Sequence, residues 1–127
     1  MSILRHGLDL VECARIAQVL QDHGPRFLNR VLTSAEQERA TQFKNPTPFI
    51  AGRWAAKEAI LKMIGTGWRG KITWNDMEIL PDVLGQPVPA LTGETKRIAE
   101  DKGIVRVMLS ITHTEHYAAA SAIGVGS

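Results

Sequence analysis

The stretch that most constrains the fold is residues 49–67, FIAGRWAAKEAILKMIGTG. Its apolar residues and alanines lie on all sides of a helical wheel, and glycines follow it as helix-ending residues. A helix that is hydrophobic all round is predicted to be buried. Four charged residues interrupt it, namely Arg53, Lys57, Glu58 and Lys62. Because buried charge is costly unless it is paired, these four residues call for partners.

At about 100° per residue, Arg53 and Lys57 fall on the most apolar face of this helix, whereas Glu58 and Lys62 fall among alanines. Taken singly, each has a structural interpretation: Glu58 and Lys62 form an i,i+4 pair worth about 0.2–0.5 kcal/mol, and Arg53 can extend its head to the helix edge. Taken together, two cations and a carboxylate beside small residues predict the wall of a pocket for a phosphate group and its metal ion.

The composition favours one soluble domain over residues 1–127, since 44% of the residues are hydrophobic and the length is that of a single compact domain. No apolar run approaches the ~20 residues of a membrane helix, and residues 1–10 lack the features of a signal peptide. Cys13 is the only cysteine, which excludes an intrachain disulfide and a thiolate zinc site. A cytoplasmic protein is therefore expected.

Positive charge is concentrated in the middle of the chain. Residues 39–71 contain seven basic residues and one acidic residue, whereas residues 72–127 contain seven acidic and four basic ones. The middle therefore suits an anionic partner, with a solvated basic surface as the alternative. A nucleic-acid-binding module is disfavoured because only 6% of the residues are aromatic and because Arg53 and Lys57 lie on the wrong face to follow a backbone.

The pattern of the whole chain predicts an α+β fold, an antiparallel sheet packed on a long central helix. The predicted elements are a strand at 3–11, helices at 12–22 and 26–32, a helix opened by a capping box at 33–37 and running to about 43, the long helix, a strand at 71–80, a turn-rich stretch at 81–89, a helix at 91–102, and strands at 105–113 and 116–125 joined by a tight turn. Glycines after the long helix predict a mobile loop that contains Thr66, Trp68 and Arg69.

Two polar residues outside the helix draw attention. Asp9 stands in an otherwise apolar segment, either as a hard oxygen ligand of the kind that magnesium prefers or, with Glu12 three residues later, as a helix cap. His113 falls at the predicted hairpin end; it is either an exposed turn residue or a phosphate contact or proton carrier, since histidine titrates near neutral pH.

Several segments together resemble one known family, the holo-acyl-carrier-protein synthases within the 4′-phosphopantetheinyl transferases. They occur in family order, and they are Gly7-Leu8-Asp9, Phe49 with Arg53-Trp54-Ala55-Ala56-Lys57-Glu58-Ala59, Lys62 with Gly65-Thr66-Gly67, Gly85-Gln86-Pro87, and Ser110-Ile111-Thr112-His113. The helix motif is the most specific of these. The sequence departs from the family at Arg5, where glycine is common, and at Leu84, where a polar residue is common.

The resemblance implies a 4′-phosphopantetheinyl transferase fold and a role for each matching position. Asp9 and Glu58 resemble the magnesium ligands of the family. The catalytic residues of the family are matched by Glu58, Lys62 and His113. The coenzyme A site would comprise Lys44, Arg53, Gly65, Pro87 and His113. Arg15, Arg26 and Phe27 fall where the family docks the acidic helix of the carrier protein.

The implied reaction is magnesium-dependent transfer of 4′-phosphopantetheine from coenzyme A to a serine of apo acyl carrier protein, with release of 3′,5′-adenosine bisphosphate, in support of fatty acid biosynthesis. A metal-bound water or hydroxide held by Glu58 or Asp9 is the first candidate for the base, and His113 is the second. The family also implies a homotrimer with sites at subunit interfaces. A different magnesium-dependent enzyme of nucleotide or pyrophosphate chemistry, such as a hydrolase, remains the alternative.

Overall fold

A computed structural model describes residues 1–67 and 70–127 of the chain. The helices are α1 (Cys13–Val31), α2 (Ser34–Ala40), α3 (Thr47–Ile64) and α4 (Gly93–Asp101), with a 3₁₀ turn at Trp74–Asp76. The strands are β1 (Ser2–Glu12), β2 (Met77–Pro81), β3 (Pro87–Leu91), β4 (Arg106–His113) and β5 (Tyr117–Gly126). The predicted α+β class with antiparallel sheets is therefore confirmed. Among the described residues no helix is long and apolar enough to cross a membrane.

The strands form two antiparallel sheets. The larger has the order β1-β5-β4, and the smaller pairs β2 with β3. One face of the larger sheet packs on α3 through buried small residues of β5, namely Ala118, Ala120, Ala122 and Gly124. Small side chains bring the helix close to the sheet, and this close packing fixes the position of the charged residues along α3.

The helix boundaries follow local signals. Thr33 caps α2 through a capping box with Glu36, as the sequence predicts. Helix α2 ends at Ala40 rather than at the predicted residue 43. Gly24, with φ of 40°, divides α1 into two helical segments at the gap between the two predicted helices. Gly65, with φ of 86°, ends α3 in the left-handed conformation.

Two predictions for the segment after α3 are wrong. Residues 74–76 of the strand predicted at 71–80 form a 3₁₀ turn, so β2 begins only at Met77. Strand β3 includes residues 87–89 of the stretch predicted as turns, together with residue 91, where a helix was predicted to begin. Proline is tolerated in β3 because, within the part of the chain that the structure describes, this short strand pairs with β2 alone. The predicted loop residues Trp68 and Arg69 lie outside the described residues.

Candidate active site

Strand β1 and the end of α3 meet through Asp9 and Lys62. The Lys62 ammonium Nζ donates to Asp9 Oδ1 at 2.9 Å and to the backbone oxygen of Leu8 at 3.2 Å. The strand can approach the helix this closely because Gly7 has no side chain; a Cβ there would lie 2.1 Å from the backbone oxygen of Ala59. In the Gly7-Leu8-Asp9 motif, Gly7 therefore allows β1 to approach α3, and Asp9 makes the contact with Lys62.

The helix-cap interpretation of Asp9 is wrong. Asp9 lies inside β1, opposite Ala120 of β5, and α1 begins at Cys13 after Glu12. The Asp9 side chain turns toward α3 instead, where its carboxylate is largely buried beside the half-exposed Lys62.

Glu58 stands one turn before Lys62, so both side chains lie on the same side of α3. Glu58 also lines a cavity of about 550 Å³ together with Trp54, Trp74 and Phe27. The structure thus brings three predicted site residues to one region: Lys62 contacts Asp9 directly, and Glu58 precedes Lys62 by one helical turn.

The donor set of this region fits magnesium. In the described parts of the chain no three His, Cys, Asp or Glu side chains gather closely enough to hold a metal ion. Magnesium is nevertheless commonly bound by one or two carboxylates, with water and substrate phosphates completing its octahedron. Asp9 and Glu58 would supply the carboxylates, and Lys62 uses only one oxygen of Asp9.

For Lys57 the expectation of a phosphate pocket is wrong. Its side chain is 0% exposed, and Nζ donates at 2.6 Å both to Glu36 Oε1 and to the backbone oxygen of Val31. Glu36, also 0% exposed, accepts further hydrogen bonds from the backbone N–H groups of Thr33 and Ile79. Burial lowers the pKa of Lys57, and the attraction of Glu36 opposes this shift. Lys57 therefore joins α3 to its neighbouring elements.

Arg53 is placed differently, in an aromatic setting with an unused donor. Its guanidinium carbon lies 4.3 Å from the ring centroid of Phe49, which stacks on Phe43 at 5.1 Å. Among the described residues its buried Nε has no hydrogen-bond partner. Burial lowers the pKa of Arg53, with Glu36 opposing the shift. Arginine stays charged at physiological pH, so an anion here would satisfy a partly desolvated cation.

Lys44 follows Phe43 directly, in the exposed turn before α3. The stack of Phe43 on Phe49 therefore places Lys44 and Arg53 at the same end of the helix. Arg53 and Lys62, nine residues apart, project to opposite sides of α3, about 180° from each other. Two groups of predicted site residues thus lie on different sides of α3.

The remaining predicted nucleotide contacts are dispersed. His113 is exposed at the end of β4, opposite Ala118 of β5. Pro87 begins β3 and lines a groove of about 1000 Å³ between β3, α4 and β4, together with Lys96 and Arg106. Gly65 ends α3 three residues after Lys62.

The predicted docking residues divide into two exposed cations and one buried ring. Arg15 and Arg26 are exposed on α1, and the Arg15 guanidinium carbon lies 6.0 Å from the ring centroid of Trp54. Phe27 is only 9% exposed and stacks on Trp54, which stacks in turn on Trp74 at 4.4 Å. Phe27 therefore packs beneath the exposed surface of α1 that carries Arg15 and Arg26.

Sequence reasoning missed Glu36 as the partner of Lys57 and missed the stack of Phe27, Trp54 and Trp74. The capping box identified Glu36 as a cap, but nothing in the spacing shows that its carboxylate also reaches α3. Similarly, two tryptophans 20 residues apart carry no signal of contact.

Comparison with known proteins gives a consistent result. The model of the 4′-phosphopantetheinyl transferase superfamily matches residues 5–121. A holo-[acyl-carrier-protein] synthase of Caldanaerobacter subterraneus subsp. tengcongensis is 44% identical over 120 residues, which cover 94% of this chain and 93% of that protein.

Solved structures agree with this similarity. The holo-[acyl-carrier-protein] synthase of Neisseria meningitidis is 33% identical with a TM-score of 0.89, covering 98% of this chain and 99% of that one. The holo-(acyl-carrier-protein) synthase of Bacillus anthracis str. Ames, solved in complex with coenzyme A (3′,5′-ADP), is 32% identical with a TM-score of 0.82, and the match covers 98% of each chain.

Proposed function

The chain belongs to the 4′-phosphopantetheinyl transferase superfamily, and we propose that it acts as a holo-[acyl-carrier-protein] synthase. It transfers 4′-phosphopantetheine from coenzyme A to a serine of apo acyl carrier protein and releases 3′,5′-adenosine bisphosphate. The proposal extends to a cytoplasmic role in fatty acid biosynthesis. Support comes from the whole-length similarity to synthases and from a structural neighbour that binds coenzyme A.

The observation that carries the proposal is the contact between Asp9 and Lys62 beside Glu58. It joins the strand motif to the helix motif with a Nζ–Oδ1 distance of 2.9 Å. A transferred phosphoryl group needs charge neutralisation on its oxygens and a fixed orientation. The Lys62 ammonium group would supply part of this charge, and the two carboxylates would hold a metal ion that supplies the rest. Lys62 is half-exposed, so its ammonium group is accessible to a substrate.

Asp9 and Glu58 would hold magnesium. When bound, magnesium would neutralise charge on the phosphoryl oxygens and on the leaving phosphate. The side chains of the site would bind and orient coenzyme A, with space for the incoming serine.

In the proposed reaction the serine hydroxyl oxygen forms a bond to the β-phosphorus of coenzyme A. The bond from that phosphorus to the adenosine bisphosphate oxygen breaks. The serine proton passes through a water to the carboxylate of Glu58 or Asp9 that holds it, or to His113. Lys62 contacts the pyrophosphate throughout, where its charge matches the leaving group. Arg53, Lys44, Gly65, Pro87 and His113 would bind the nucleotide part.

We propose that the active unit is a homotrimer whose sites form between protomers. Arg53 and Lys62 point to opposite sides of α3, so two protomers bring these cations to one ligand more readily than a single chain does. The face of the larger sheet that is turned away from α3 provides a contact surface of mixed apolar and polar residues. Cross-strand pairing places on this face His6, Leu8, Leu10, Met108, Ser110, Thr112, Ala119, Ser121 and Ile123. Leu10 is 65% exposed there, which is typical of an interface.

Size-exclusion chromatography with light scattering tests the assembly. The wild-type protein should elute with the mass of a trimer, and Leu10→Glu should shift it toward the monomer. Val83→Glu is the matched control, because Val83 is a fully exposed apolar residue in the turn between β2 and β3. A wild-type monomer, or equal effects of both substitutions, would contradict the proposed interface.

The carrier protein would dock on α1. Arg15 and Arg26 present exposed positive charge that suits an acidic helix, and the buried Phe27 holds the rings beneath them in place. This surface borders the cavity that Glu58 lines, since Phe27 and Trp54 also line it. A serine at the end of a docked helix would therefore have a short path to the phosphates.

The enzymatic test is the release of 3′,5′-adenosine bisphosphate from coenzyme A and magnesium, with and without apo acyl carrier protein. The proposal requires release only when the carrier protein is present. Release at the same rate without it would show a hydrolase and contradict the transferase function.

A further inference from the structure

Arg5 reaches from β1 to the C-terminal end of α3, next to the proposed phosphate site. Its Nε donates to the backbone oxygen of Met63 at 2.8 Å. Its Nη2 atom lies 2.6 Å from the position that a Cβ on Gly65 would occupy. Gly65 therefore combines two requirements, a left-handed backbone and space for the Arg5 guanidinium. The side chain is exposed to solvent on its other side.

The electrostatics of this helix end explain why a cation is useful here. The carbonyl groups at the C-terminus of a helix carry a partial negative charge, equivalent to roughly half an elementary charge. An anion held beside Gly65 would be repelled by that charge unless cations offset it. Lys62 comes three residues before Gly65, and its ammonium group already donates to Asp9 and to the Leu8 carbonyl.

Arg5 has donors left over. A guanidinium carries five N–H donors in a planar fork, and the bond to Met63 uses the one on Nε. Among the described residues the structure shows no other hydrogen bond from this side chain. The bond to Met63 holds the fork in one place, so an incoming phosphate meets a donor group that is already oriented.

We propose that Arg5 is a further substrate-binding residue, which contacts the pyrophosphate oxygens of coenzyme A at the Gly65 end of α3. The inference rests on the proposed transferase function and adds a second cation beside Lys62 at this end of α3. The affinity for coenzyme A would then depend on two cations, Arg5 and Lys62, instead of on Lys62 alone.

The test compares steady-state kinetics of Arg5→Gln and Arg5→Lys with the wild-type protein. Loss of one charge-assisted contact should raise the KM for coenzyme A about tenfold in Arg5→Gln, while the KM for apo carrier protein stays within about twofold. Arg5→Lys keeps the charge but loses the fork, so its KM should lie between the two. Arg97→Gln removes the same charge from α4 and should leave both constants unchanged.

Thermal unfolding of each variant separates binding from folding. The inference is overturned if Arg5→Gln leaves the KM for coenzyme A unchanged and lowers kcat only in step with the unfolding midpoint. Arg5 would then be a structural cap of α3. If the wild-type protein transfers no phosphopantetheine, the proposed function itself fails. If the wild-type protein transfers phosphopantetheine and Arg5→Gln has the same KM for coenzyme A, only the proposed role of Arg5 is contradicted.

Discussion

The buried pair of Lys57 and Glu36 gives the sharpest prediction for stability. Both side chains are 0% exposed, and their charged atoms lie 2.6 Å apart. Lys57→Met removes the cation while a side chain of similar length still fills the space. The carboxylate of Glu36 then stays buried with only the backbone N–H groups of Thr33 and Ile79 as described donors.

The expected cost follows from this loss of compensation. Removing one partner of a buried ion pair typically costs about 3–5 kcal/mol, out of a total stability of about 5–15 kcal/mol. At a urea dependence of roughly 2 kcal/mol per M, the unfolding midpoint should fall by about 2 M. Glu36→Leu should cost more than Lys57→Met, because it also leaves two backbone N–H groups without an acceptor, at about 1–3 kcal/mol each.

The double variant tests whether the loss of stability in the single variants comes from breaking the ion pair between Lys57 and Glu36. Glu36→Leu with Lys57→Met removes both charges, so it should lose less stability than the two single variants added together. Equilibrium urea unfolding followed by tryptophan fluorescence measures all three, since Trp74 is buried and Trp54 packs partly buried against the core. If Lys57→Met does not fold, Glu36→Gln provides a milder loss of charge. A change of less than about 1 kcal/mol in Lys57→Met, with additive effects in the double variant, would refute the reasoning.

Three further predictions concern the proposed site. Gly7→Ala places a Cβ 2.1 Å from the Ala59 backbone oxygen, so it should lower the melting temperature and abolish transfer; a wild-type melting temperature would contradict the close approach of β1 to α3. Asp9→Asn and Glu58→Gln should each reduce kcat at least 100-fold while circular dichroism stays unchanged, and full activity in both would exclude them as metal ligands. Arg15→Ala should raise the KM for apo carrier protein several-fold with little change for coenzyme A, and equal effects on both constants would remove Arg15 from the docking surface.

Local signals in the sequence predicted those elements whose causes are local. The capping box at Thr33, the glycine after α3 and the alternation in the last two strands each lie within a few residues of the element they specify. Strand β3 was not predicted because its prolines and short length resemble a turn, and its stability comes from pairing with β2.

The sequence nominated the residues of the candidate site, but it did not predict their geometry. Helical spacing placed Lys57 on a buried face, yet its partner Glu36 comes from another helix 21 residues earlier, and only the fold brings them together. In the same way the motif residues Asp9 and Lys62 are 53 residues apart, and their contact depends on the bare backbone at Gly7. A resemblance assigned roles to the site residues, whereas their burial and hydrogen-bond partners required the structure.

The central claim is most directly tested by the intact mass of an apo acyl carrier protein after incubation with this protein, coenzyme A and magnesium, in parallel with a chelator control. We predict that the carrier protein gains the mass of one 4′-phosphopantetheine and that the chelator prevents the gain. An unchanged mass with a well-folded enzyme and several carrier proteins would contradict the proposed transferase function, and a gain that persists with the chelator would contradict the role of Asp9 and Glu58 in binding magnesium.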